Sequence, residues 1–85
     1  MKRGPEFFGD EELSLIYIAK RLKEALKVEE ALTASGFDYL VEPDRYSGGL
    51  IFQTQRVGAF FYVAPNKEAE ARELLISRGY KPYAV

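Results

Sequence analysis

The chain contains no cysteine and no histidine. Without cysteine there is no disulfide, no thiolate nucleophile and no thiolate metal site. Without histidine the commonest general base and the commonest zinc ligand are missing, while carboxylate, lysine or tyrosine chemistry remains open. Charge of one sign is also scarce: 12 Lys and Arg stand against 13 Asp and Glu, a net charge of -1. No global field therefore draws in a polyanion, and no dense basic patch is written locally. No apolar run approaches the roughly 20 residues of a membrane helix. The apolar stretch of a signal peptide does not follow Lys2 and Arg3. The expected location is the cytoplasm, with no membrane partner.

What is present fits one small α+β domain. The 85 residues, 47% of them hydrophobic, allow one core, and a chain of this size buries only about 60–65% of its unfolded surface. Residues 1–12 carry Gly4, Pro5 and Gly9 without a period and read as a flexible arm anchored at most by Phe7 and Phe8. The domain proper is expected over 13–85. Leu13 to Ala19 alternates β-formers and predicts a strand. Lys20 to Ser35 repeats Ala25, Val28, Leu32 and Ser35 at helical spacing, joined by Ala31, and Leu22 and Leu26 widen this stripe. Gly36 then stands where a helix ends in a left-handed residue.

Phe37 to Glu42 predicts a second strand and Pro43 to Gly49 a turn. Leu50 to Thr54 resumes an extended run, and Gln55 and Arg56 lie near another reversal. Val57 to Ala64 is the strongest strand. Pro65 and Asn66 open a second helix, with Asn66 placed to cap it. Ala71, Leu74, Leu75 and Arg78 form its buried stripe, with Arg78 at the frayed end, and Gly79 ends it. Tyr80 to Val85 predicts a short strand, confined to a sheet edge because Pro82 has no N–H to give a ladder.

The two halves repeat weakly. With Gly36 laid on Gly79, Phe37 falls on Tyr80, Leu32 on Leu75 and Val28 on Ala71, while Tyr17 and Ile18 fall on Phe60 and Phe61. Two strand–helix–glycine–strand units predict the ferredoxin-like βαββαβ sandwich, an antiparallel sheet with two helices on one face and an extra hairpin between strands 2 and 3.

In such a sheet one face lacks helices, and here both faces are apolar. Strict alternation puts Ile16, Ile18, Phe61 and Val63 in the core and leaves Leu15, Tyr17, Phe60 and Tyr62 on the free face. An apolar free face marks an interaction surface. The favoured expectation is a homo-oligomer, dimer or trimer, joined through those four residues. Cover by the arm or hairpin is the alternative.

Two ligand readings stand beside it. Arg45, Tyr46, Gly48, Gly49 and Arg56 surround the predicted hairpin and could bind a small anion, although their spacing matches no phosphate-loop signature. Ile16-Tyr17-Ile18-Ala19 resembles the first-strand motif of RNA-recognition domains, and Arg56 to Val63 resembles their third-strand motif in part. This resemblance implies single-stranded RNA stacking on Tyr17 and Phe60. The acidic pairs Asp10-Glu11-Glu12 and Glu29-Glu30 read as solvated faces. No catalytic residue, metal or cofactor is expected.

A further likeness covers most of 13–83. The segments Leu32-Thr33-Ala34-Ser35-Gly36-Phe37, Phe60-Phe61-Tyr62-Val63 and Glu68-Ala69-Glu70-Ala71-Arg72-Glu73-Leu74-Leu75 look like a small bacterial signal-transducing family similar to the PII (GlnB-like) regulators. The resemblance implies a ferredoxin-like fold, frequent oligomers and a regulatory role without catalysis.

Overall fold

A computed structural model describes residues 1–48 and 54–84, with side chains described over 1–46 and 56–84. The described elements are β1 (Ser14–Ala19), α1 (Leu22–Ala34), β2 (Leu40–Gly48), β3 (Thr54–Val63) and α2 (Glu68–Ser77), with short 3-10 turns at Pro5–Phe8 and Pro65–Lys67. The strands form one antiparallel sheet in the order β1-β3-β2. The domain is thus a small α+β structure with a three-stranded sheet and two helices.

Both helices end by the same device. Gly36 and Gly79 have φ of 80° and 86°, a conformation that glycine adopts without a Cβ clash. The next residue then reaches back five positions: Phe37 N–H donates to Leu32 O at 3.0 Å and Tyr80 N–H to Leu75 O at 2.9 Å. This satisfies carbonyls that a helix end would otherwise orphan. Leu32 and Leu75 are fully buried, and Phe37 and Tyr80 pack against the same core, so the repeat read from the sequence is a repeat of helix ends. The expected Asn66 cap is not made. The 3-10 turn carries the chain past Asn66, and α2 starts after Lys67 with no side-chain cap.

Two expectations about the strands are corrected. Pro43 to Gly48 continues β2, pairing with β3 from Pro43↔Ala59 to Gly48↔Thr54, so this stretch is strand rather than turn. Gln55 and Arg56 belong to β3 in the same ladder. The extra hairpin between strands 2 and 3 is therefore one long β2–β3 hairpin, and most of the predicted run Leu50 to Thr54 lies outside the described residues. A proline survives here because β2 is an edge strand. Tyr39 turns its N–H and C=O outward, to Met1 O at 3.2 Å and Arg3 N at 2.7 Å. Residues 41, 43 and 45 share that outward phase, so Pro43 lacks an N–H that the ladder does not need.

The last strand, expected over Tyr80 to Val85, is not formed over its described residues. The segment still follows β1: Tyr83 N–H donates to Ile16 O at 2.7 Å. Arg72 of α2 holds it there. Its guanidinium donates to Tyr83 O, to Leu15 O at 3.1 Å and to Glu68 Oε2 at 3.0 Å. Glu68 also accepts from Ser14, and these hydrogen bonds, with Ser14 the larger cause, hold its carboxyl below the usual range. At the other sheet edge, Lys2 bridges to Tyr39 and Arg3 pairs with Asp38 at 2.8 Å.

Candidate functional site

Which side chains share a face follows from the register. β1 pairs Leu15 with Tyr62 but Tyr17 with Phe61, so a bulge falls between them. A bulge sets two residues opposite one and reverses the alternation beyond it. Tyr17 and Ala19 consequently turn to the helices with Phe61. Tyr17 is 9% exposed, its ring edge meets Phe61 at 6.5 Å and Tyr80 at 5.6 Å, and its hydroxyl bonds Glu24 of α1. Burial, then the Glu24 charge, pushes its pKa up to about 12. Ile18, expected in the core, turns to the helix-free face beside Phe60.

The helix-free face therefore carries Leu15 and Ile18 from β1, Phe60 and Tyr62 from β3, and Leu40, Glu42, Asp44 and Tyr46 from β2. Burial and the charges of Asp44 and Glu42 raise the Tyr62 pKa, as a shared face requires. Of the four residues expected to form an oligomer contact, Leu15, Phe60 and Tyr62 come together here and Tyr17 does not. Phe60 is already only 8% exposed within one chain. The RNA-stacking pair is likewise divided, with Tyr17 on one face of the sheet and Phe60 on the other.

The predicted anion site is divided in the same way. Arg45 pairs with Val57 and Arg56 with Tyr46, so the two arginines leave opposite faces of the hairpin. Gly48 closes the described end of β2, and Gly49 lies outside the described residues.

Neither sheet edge offers a free strand over the described residues. On β2, Pro43 has no N–H and the outward N–H of Arg45 donates to Asp44 Oδ1 at 2.7 Å, which blunts the edge against strand addition. On β1, the segment at Tyr83 occupies the edge.

Among the described residues, Met1, Phe7 and Ile76 are exposed singly, and a grouped apolar patch lies away from the helix-free face. The ladder with β1 stops at Ala19↔Ala59, while β2 and β3 run on past it. Where the hairpin outruns the helix layer, Leu22, Leu26 and Val57 stand 77%, 56% and 64% exposed. Leu22 and Val57 line one depression of about 120 Å³ with Ala25 and Ala59, and Leu26 lies one turn along the same flank of α1. The sequence reading missed this patch because Leu22 and Leu26 look like a widened core stripe. A larger cleft of about 430 Å³ opens at the other end of the domain, lined in part by Phe7, Phe8, Phe37, Asp38 and Lys67. Its polar groups are partly committed, Asp38 to Arg3 and Lys67 to Glu70.

No family model, curated protein or solved structure matches the chain. Among the described residues no helix is long and apolar enough to cross a membrane.

Proposed function

We infer that the chain is a non-catalytic regulatory or signal-transducing binding module, ferredoxin-like in layout, that pairs with a second copy through the Leu22–Leu26–Val57 patch. The layout is supported by the strand order, the matched helix ends and the run of the C-terminal segment along β1. The regulatory role extends the resemblance carried by the Leu32–Phe37 and Glu68–Leu75 segments.

The observation that carries self-association is the contiguous exposure of three large aliphatic side chains in a domain whose sheet edges are both blocked. Lys23 and Glu30 are exposed on α1 beside this stripe. Two copies of α1 packed antiparallel about a two-fold axis set the Lys23 end of one against the Glu30 end of the other, a self-complementary arrangement. On the order of 300 Å² of apolar surface per copy, at ~25 cal/mol per Å², offers about 15 kcal/mol for the pair. Association costs about 4–15 kcal/mol, which leaves a surplus of at most about 11 kcal/mol; a mid-range surplus of about 6 kcal/mol makes a reversible dimer with a Kd of roughly tens of micromolar.

Size-exclusion chromatography with light scattering tests this. Wild type elutes as a dimer at about 100 μM and dissociates on dilution. Leu26→Glu, at an exposed site where folding is not at stake, gives a folded monomer, and Leu15→Lys on the helix-free face leaves the dimer intact. A dimer that survives Leu26→Glu but not Leu15→Lys contradicts the assignment.

A further inference from the structure

The helix-free face holds a built groove that self-association does not use. Ile18, Lys20, Tyr46, Lys81 and Tyr83 line a cavity of about 310 Å³. Two of these side chains are ammonium groups, two carry phenol rings and none is a carboxylate. The groove depends on Gly58. A Cβ there would come within 3.0 Å of Tyr46 Cε1, 3.1 Å of Ile18 Cγ2 and 3.1 Å of the Ala19 carbonyl. The missing side chain lets the Tyr46 ring lean across β3 towards β1, a close approach that explains a glycine inside a strand.

The other wall is fixed by backbone. Tyr83 N–H is held by Ile16 O at 2.7 Å, and the Tyr83 carbonyl accepts from Arg72. Lys20 Nζ sits 5.6 Å from the Tyr46 ring centroid, within cation–π reach. Arg56, the cross-strand partner of Tyr46, adds a third cation to this end of the face. Of the acids of the face, Asp44 stands two residues from Tyr46 and pairs with Gly58, with its Oδ1 turned outward to the Arg45 N–H, while Glu42 lies further along; both act on Tyr62.

We propose that this groove binds a small aromatic anion, with its flat ring against Tyr46 and Tyr83 and its phosphate or carboxylate between Lys20 and Lys81. Two ammonium groups and no carboxylate on the lining of one cavity give it a positive potential that favours an anion. Phenol rings on fixed backbone present a stacking surface at little entropic cost. The groove and the dimer patch open on opposite sides of the sheet with Lys20 on the border of both, and because Leu26→Glu lies outside the groove and Lys81→Glu outside the patch, either assignment can fail alone.

The test is a ¹⁵N–¹H NMR titration with phenyl phosphate, run beside phenol and inorganic phosphate as separate probes. Phenyl phosphate should shift the amides of Ile18, Lys20, Tyr46, Lys81 and Tyr83 saturably, and each half-probe should bind at least about tenfold more weakly, the ratio expected of a stacking contact of ~1.4 kcal/mol. Lys81→Glu, at an exposed position, should weaken phenyl phosphate about tenfold with the spectrum otherwise unchanged, and Gly58→Ala should weaken it too by displacing the Tyr46 ring, with amide shifts around Ala19 as well because the added Cβ meets that carbonyl. Inorganic phosphate binding as tightly as phenyl phosphate, shifts that map away from these residues, or no shift at about 10 mM overturns the proposal.

Discussion

The two faces of the sheet are both largely apolar and exclude water to different degrees and by different means. On the helix-covered face, Ile16, Phe61 and Val63 lie beneath α1 and α2 and lose all contact with water. On the helix-free face, Phe60 is almost as buried without a helix over it. It sits on the central strand with Ile18 on one side and Glu42 on the other, at the spacing where cross-strand neighbours close over each other. Among the described residues, Leu22, Leu26 and Val57 stay wet at the margin, where the hairpin runs past the helix layer, while Ile76 on α2 and Phe7 in the N-terminal segment are exposed singly elsewhere. The grouped exposure in this two-layer domain thus falls where the layers stop short of each other, not on the face that lacks a helix.

The largest expected effect separates the faces along one strand. Phe61→Ala opens a cavity behind both helices and should cost about 3–5 kcal/mol. Tyr62→Ala, one residue on but facing the other way, should cost less than about 1.5 kcal/mol because its ring is partly solvated. Urea unfolding of both variants measures the difference, and equal losses would mean that the faces are not energetically distinct.

A smaller effect sharpens the comparison at Tyr17, the residue that the bulge moves from one face to the other. Its pKa is raised to about 12 by burial and by Glu24, against an unfolded value of about 10. The folded chain therefore holds this proton more tightly than the unfolded chain. The resulting stabilisation is complete below about pH 10 and is lost as pH rises through about 12, on the order of 2 kcal/mol in all. Urea midpoints measured across that range should fall more steeply for wild type than for Tyr17→Phe. Parallel slopes would place the hydroxyl in water, on the face that strict alternation assigns to it.

Why alternation failed there is physical. The strand itself was legible, since Leu13 to Ala19 reads as β and Ser14–Ala19 is β1. Its facing was not, because the bulge between Leu15 and Tyr17 is set by pairing with β3, and no residue in the segment signals it. The helix ends were legible to the residue, because a left-handed position demands glycine and Gly36 and Gly79 supply it. Pro43 misled as a turn signal because its meaning depends on whether its strand lies at an edge, which is a property of the whole sheet. The exposed patch was hidden for a similar reason: Leu22 and Leu26 belong to an apolar helix pattern, and only the length of the hairpin beyond β1 leaves them uncovered. The groove was least legible. Ile18 and Lys20, Tyr46, Gly58, and Lys81 with Tyr83 come from four stretches of chain, and its one local trace is a glycine inside a strong strand.

The margin, rather than either face, is the central claim, and methyl protection tests it most directly. With methyl-labelled leucine and isoleucine and a soluble paramagnetic agent, relaxation of each methyl can be followed from about 10 μM to about 500 μM protein, a span that brackets a Kd of tens of micromolar. The account predicts that Leu22 and Leu26 become protected as concentration rises while Leu15 and Ile18 do not change. Protection of Leu15 and Ile18 with Leu22 and Leu26 still exposed, or no protection anywhere, would contradict it.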